Sequence, residues 1–280
     1  MGLVDDLGKI CGGKAPDGPS SGRYSLDDPL VLSMIFHPRA DCAPPGRDSR
    51  GRDLFFHPGG DVTIAARFFE SGPSYPTVLF FHGNGEIASD YDEIAPLYTR
   101  RGLNLLVVDY RGYGRSTGSP TLENMLQDAV GILESVLGWL HDEGLEGALW
   151  VMGRSLGSVP AIHLASSREQ WLAGLIVESG FADTLALLSR VGIPVHLLEV
   201  PEKWRNFNLE GIAQVRLPTL IIHGERDQII PVQEGRALLR ACGASRKKMV
   251  VIPEAGHNDL LWVGMDIYMG ALASFVGKAS

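Results

Sequence analysis

A doubly wound, mostly parallel α/β sheet is the fold class the sequence predicts, and three observations predict it. Short, continuous apolar runs alternate along the chain with longer segments of helical character. One of those runs ends in Gly153-Arg154-Ser155-Leu156-Gly157, a Gly-x-Ser-x-Gly pentapeptide that leads straight into helix-compatible sequence. The 280 residues, 45% hydrophobic and 21% charged, suit one globular unit with a large core and an appended arm.

Taken in order, residues 1–51 read as an N-terminal arm, partly flexible. Its stretch from Gly12 to Asp28 is rich in Gly, Pro and Ser, whereas Leu30 to Phe36 is apolar enough to dock on the domain. Residues 52–280 read as the main domain. Arg52–His57 and Val62–Phe69, separated by Pro58-Gly59-Gly60-Asp61, predict an antiparallel hairpin. Thr77–Phe81, Asn104–Val108, Ala148–Met152, Gly174–Val177, Thr219–Ile222 and Met249–Ile252 are continuous apolar runs, as strands buried on both faces require. Between them, helices are expected over Tyr91–Arg101, Leu122–His141, Val159–Arg168, Val232–Ala241 and Leu260–Val276. Right-handed crossovers through these helices make the sheet parallel, and the hairpin supplies its antiparallel edge.

Charge and cysteine content exclude several function classes. A net charge of -8 argues against a nucleic-acid partner, which requires a basic face. The longest basic cluster, Arg246-Lys247-Lys248, reads as the solvated start of a strand. Cys11, Cys42 and Cys242 have neither the number of a disulfide framework nor metal-ligand spacing. A reducing cytoplasm is expected. The acidic, glycine-broken start of the chain does not resemble a secretory signal, and no apolar run reaches the ~20 residues of a membrane span. Gly2 is followed at position six by Asp6, which weakens an acylation motif.

In such sheets the chemistry lies beyond the carboxyl ends of the strands. The strand, elbow and helix around Ser155 match a nucleophile elbow, whose sharp turn leaves no room for side chains at Gly153 and Gly157. After the first parallel strand, His82-Gly83-Asn84-Gly85-Glu86 reads as an oxyanion loop. The N–H groups of Asn84 and Leu156 would be the donors, although the same glycines also suit a plain tight turn. Asp109-Tyr110-Arg111-Gly112-Tyr113-Gly114 reads as structural, with Asp109 and Arg111 paired. In His223-Gly224-Glu225-Arg226-Asp227, Asp227 is the candidate carboxylate for orienting a histidine, with Glu225 a competitor; a loop acid capping the helix opened by Pro231 is the alternative. His257, in a glycine-containing loop before the last helix, is the candidate base, since an imidazole pKa of about 6.5 allows proton transfer both ways near neutrality. His37, His57, His141, His163 and His196 read as surface or packing residues. His82 and His223 read as hydrogen-bonded structural groups.

The order Ser155, Asp227, His257 is that of the α/β-hydrolases. With the His82-Gly-Asn-Gly, Gly153-Arg-Ser-Leu-Gly, His223-Gly-Glu-Arg-Asp and Gly256-His257 segments, the chain from Arg52 to Val276 resembles that superfamily. It looks most like the branch of serine esterases, lipases and protein depalmitoylases. The resemblance implies an α/β-hydrolase fold with a short cap at about residues 180–217, holding a helix over Thr184–Arg190 and a loop with Trp204 and Phe207. It implies Asp183 as an alternative triad acid, ranked below Asp227. It implies a cytoplasmic enzyme acting on a small-molecule ester or acyl substrate through an acyl-enzyme on Ser155, with no metal or organic cofactor. Depalmitoylases of the branch carry an N-terminal cysteine cluster, where this chain has Cys11 alone. A serine peptidase, an acyltransferase or a noncatalytic ligand-binding protein are the other functions this fold accommodates.

Overall fold

The structure, a computed structural model, describes residues 23–42 and 51–277. The expectations for residues 1–22, including Cys11, and for the loop at 43–50 lie outside the described residues.

Among the described residues, the central sheet has eight strands. They are β2 (Arg52–Gly59), β3 (Val62–Phe69), β4 (Thr77–Phe81), β5 (Asn104–Val108), β6 (Leu149–Arg154), β7 (Gly174–Glu178), β9 (Thr219–Gly224) and β10 (Lys247–Ile252). β1 (Tyr24–Ser25) and β8 (Leu198–Glu199) form a separate parallel pair. The order across the sheet is β10-β9-β7-β6-β4-β5-β3-β2. Neighbours from β10 to β5 pair in parallel, and the β5–β3 and β3–β2 pairings are antiparallel, so β3 alone runs against the other strands of the sheet. This is the α/β-hydrolase fold class that the resemblance implied, with the expected hairpin at one edge.

Period-two alternation divides each parallel strand between two cores. Leu79, Phe81, Val151, Leu175, Val177 and Ile221 face one layer, and Val78, Phe80, Trp150, Met152, Ile176 and Ile222 face the other. The first layer is covered by α3 (Leu122–Asp142), α4 (Ser158–Ser167), α7 (Phe207–Gln214) and α8 (Val232–Ala241). The second is covered by α2 (Ala95–Thr99) and α9 (Leu260–Val276). Each fully buried Leu, Ile or Val adds about 1.5–3 kcal/mol of transfer free energy. The fold is therefore held from both sides of β4 and β6.

Several elements depart from expectation. The helix expected over Tyr91–Arg101 is a 3-10 turn at Ala88–Asp92 followed by the short α2, because Pro96 has no N–H to continue a helix and instead opens a new one. Trp204 and Phe207 do not lie in a loop. They belong to α6 (Glu202–Arg205) and α7. Gly211 weakens the helical signal of α7, yet it is needed there, because a Cβ would meet Ile162 of α4 at 2.9 Å. The expected helix Thr184–Arg190 is present as α5. Within the stretch expected to be soft, Tyr24–Ser25 pairs with the cap strand β8. Leu30–Ile35 docks as expected, within helix α1 (Pro29–Ile35).

Candidate active site

The elbow is the turn from β6 into α4. Ser155 opens a 3-10 turn (Ser155–Gly157) with φ 53°, a left-handed conformation that costs a non-glycine residue free energy and is kept where the surroundings impose it. A Cβ at Gly153 would collide with the carbonyl of Gly157, and one at Gly157 with the carbonyl of Phe81 in β4. The turn is thus wedged between two strands. Ser158 Oγ donates to the Ser155 carbonyl at 2.7 Å, and Asn208 Nδ2 of α7 donates to Ser158 Oγ at 3.2 Å, so the cap is tied to the elbow.

The loops after β9 and β10 bring Asp227 and His257 to Ser155. His257 Nε2 lies 3.1 Å from Ser155 Oγ, and His257 Nδ1 lies 2.7 Å from Asp227 Oδ2. Nδ1–H facing the carboxylate leaves the Nε2 lone pair toward the hydroxyl, the tautomer a general base needs. Asp227 Oδ1 accepts from the N–H groups of Ile229 at 3.0 Å and Ile230 at 2.8 Å. Burial pushes the Asp227 carboxyl up, but the hydrogen bond and charge of His257, the Ile230 N–H and His223 outweigh it and hold the group below its ordinary value. His223 is fully buried, its Nε2–H donating to the Ile230 carbonyl at 2.7 Å. Burial lowers its proton affinity, so it stays neutral beside Asp227.

The competing acids are engaged elsewhere. Glu225 accepts from the Glu254 N–H at 3.1 Å, and Asp183 caps α5 by accepting from Ala186 N–H at 2.9 Å. Asp109 and Arg111 do not pair, contrary to expectation. Asp109 accepts from Ala88 N–H at 2.8 Å and lies 3.2 Å from His82 Nε2, while Arg111 binds Asp128 of α3 at 2.6 and 2.7 Å.

Asn84 and Leu156 line the same cavity as Ser155 and His257. The Leu156 N–H belongs to the first turn of a helix, where N–H groups lack intrahelical acceptors. Asn84 is fixed by its side chain, with Oδ1 accepting from Tyr113 Oη–H at 2.6 Å and Nδ2 donating to the Ile35 carbonyl at 2.7 Å.

Two features were missed at the level of sequence. Arg154 sits between the elbow glycine and Ser155 yet is buried. It pairs with Glu86, donates to Glu178 at 3.1 Å, and through Nη2 donates to the His257 carbonyl at 2.8 Å and to Asn258 Oδ1 at 2.9 Å. Tyr91 and Gly83 N–H bind the same Glu86 carboxylate, and Tyr268 binds Glu178. An arginine at the end of an apolar strand was the available signal, since such a charge needs buried partners. The second is His37, expected to be a surface or packing residue, which lines the cavity. The cavity measures about 580 Å³ and is walled mainly by apolar side chains of α1, the elbow and the cap. Among the described residues lining it there is no Asp or Glu. Nor do the described residues contain a His/Cys/Asp/Glu cluster able to hold a metal ion.

Residues 72–191 and 188–261 match the serine aminopeptidase S33 family. Protein bem46 of Schizosaccharomyces pombe is 30% identical over 214 residues, covering 75% of this chain and 70% of that protein. Human alpha/beta hydrolase domain-containing protein 17B is 31% identical over 228 residues, covering 77% and 71%. Among solved structures, the Pyrococcus furiosus esterase Pf2001 superposes with a TM-score of 0.69 at 19% identity, over 87% of this chain and 98% of that one.

Proposed function

The chain belongs to the serine aminopeptidase S33 family of α/β-hydrolases, and from that premise we propose that it is a serine hydrolase cleaving carboxylic ester or thioester bonds of apolar acyl groups. The observation that carries this reading is the cavity beside Ser155, which is apolar and free of carboxylates among the described residues lining it. An aminopeptidase must hold its substrate's ammonium group, and a buried ammonium requires an anionic partner. An apolar acyl chain requires only surface to cover.

Ser155 Oγ attacks the acyl carbonyl as its proton passes to His257 Nε2. Asp227 stabilises the imidazolium through Nδ1–H, and the N–H groups of Asn84 and Leu156 receive the oxyanion. His257 then returns the proton to the departing alkoxide or thiolate, which leaves as the alcohol or thiol with the acyl group left on Ser155. Water, activated by the same histidine, releases the acid. All parts of this cycle come from the chain itself, without metal or organic cofactor. The substrate is a small-molecule ester or acyl compound rather than nucleic acid, and the site of action is the cytoplasm. Among the described residues, no helix is long and apolar enough to cross a membrane.

The test is turnover of a p-nitrophenyl ester series from acetate to palmitate by the wild type and Ser155→Ala. Removing the nucleophile is expected to lower kcat by about 10⁶-fold. A folded Ser155→Ala protein that keeps wild-type turnover would sink the assignment.

A further inference from the structure

One wall of the cavity comes from outside the elements that carry Ser155, Asp227 and His257. α1 begins with Asp28, whose side chain accepts from Leu30 N–H at 2.9 Å, and with Pro29 at its first position. The helix has two working faces. Val31 and Ile35 are buried in the core, Ile35 at the edge of the cavity, and Leu30 and Met34, one turn apart and half-buried, line the cavity together with the buried Leu26.

This segment is fastened at both ends. Before the helix, Tyr24 and Ser25 pair with Leu198 and Glu199 of the cap. After it, Asn84 Nδ2 donates to the Ile35 carbonyl at 2.7 Å and lies 3.0 Å from His37 Nδ1. The His37 N–H donates to Asn84 Oδ1 at 3.0 Å and to Tyr113 Oη at 2.8 Å. Arg39 pairs with Asp90 and donates through Nε to the Gly85 carbonyl at 3.2 Å. The loop after β4, which carries Asn84, therefore also anchors the arm.

We propose that α1 and the turn before it form the specificity-determining wall of the acyl site, with Leu26, Leu30 and Met34 setting the length and bulk of the acyl chain that fits. The inference rests on the acyl-hydrolase reading above. A chain that runs along these three side chains gains about fourfold in kcat/KM per methylene covered, the equivalent of about 0.8 kcal/mol. Once the wall blocks further extension, added methylenes stay in water and the gain stops. Filling the wall must therefore shorten the preferred chain, and emptying it must lengthen or broaden the preference.

The full chain, Met34→Trp and Met34→Ala are compared on the p-nitrophenyl ester series. Met34→Trp is expected to lower the ratio of long-chain to acetate kcat/KM at least tenfold, and Met34→Ala is expected to move the optimum toward longer or bulkier chains. Leu30→Trp reads the same wall if Met34→Trp does not fold. Binding of the fluorescent fatty acid cis-parinaric acid is measured in parallel, in a Ser155→Ala background with and without Met34→Trp. A tenfold loss of binding with Met34→Trp supports the wall even if the wild type turns over no ester, an outcome that sinks the hydrolase reading alone. Chain-length profiles parallel to wild type in all variants, or binding indifferent to Met34→Trp and Leu30→Trp, overturn the wall.

Discussion

Arg154 shows how much a single residue carries in this site. Burial opposes its charge, but Glu86 and Glu178 more than offset this and hold its proton affinity above the ordinary value. Burial raises the Glu178 carboxyl in turn, against the pull of Arg154 and Tyr268. Arg154→Met would leave Glu178 buried beside Glu86 without its cation. Removing one partner of such a pair costs roughly 3–5 kcal/mol. The expected result is a correspondingly lower urea midpoint, with Arg154→Lys falling between, since an ammonium keeps the charge but not the planar fork. A midpoint unchanged in Arg154→Met would mean that the cluster contributes nothing net to stability.

At the scale of elements, the site depends on how closely β4, β6 and α4 approach. The elbow fits because Gly157 lets its backbone lie against the Phe81 carbonyl, and Phe81 ends the strand that leads into the Asn84 loop. Gly157→Ala must push these two segments apart. A displacement of about 1 Å at a reacting centre costs on the order of 10²-fold in rate, so kcat on a short p-nitrophenyl ester is expected to fall by about that factor. Wild-type kcat in this variant would show that the elbow tolerates the extra methyl group. The cap belongs to the same mechanical unit, because Asn208 of α7 reaches the Ser155 carbonyl through Ser158. Thus α7, its start at Phe207 expected as loop, holds the Ser155 turn through Asn208 and Ser158.

For the whole molecule, the sheet order places β6 and β4 at the point where the chain reverses its winding, with β5 to one side and β7, β9 and β10 to the other. Their carboxyl ends form the crevice in which doubly wound folds hold ligands. Buried titrating groups couple the stability of this arrangement to pH. Burial lowers His223, and burial with nearby Arg168 lowers His163. Below about pH 6.5 the unfolded chain takes up these protons first, so stability falls with pH through that window. The depressed Asp227 contributes stability above its unfolded value of about 3.9, which is lost as pH falls through its lower folded value. Glu178, raised by burial, acts in the opposite direction and gains stability as pH falls toward its unfolded value. Glu86, which burial would raise but Arg154 holds below its ordinary value, acts in the same sense as Asp227. With two histidines and these two carboxylates against Glu178, Tm is expected to be flat above about pH 7, to decline toward pH 5 and to drop again below pH 4. Thermal melts across this range check it, and a Tm constant from pH 7 to pH 5 would exclude the histidine contribution.

The sequence by itself determined the parallel sheet, because strands buried on both faces must be continuously apolar, and Val78–Phe81, Leu105–Val108 and Leu220–Ile222 are. It also determined which residues meet at the crevice. Ser155, Asp227 and His257 each directly follow or lie just beyond such a run, and parallel strands bring their carboxyl ends to one edge. Local pattern of this kind is written in neighbouring residues. Tertiary structure alone decided where the long-range polar partners went: Arg111 to Asp128, and Arg154 to Glu86, Glu178 and the His257 loop. It alone decided that α1, an arm by sequence, would wall the cavity, and that Gly211 would sit inside a helix. In each case the deciding contact joins segments far apart in the chain, and its free energy comes from desolvation and packing that no local window contains.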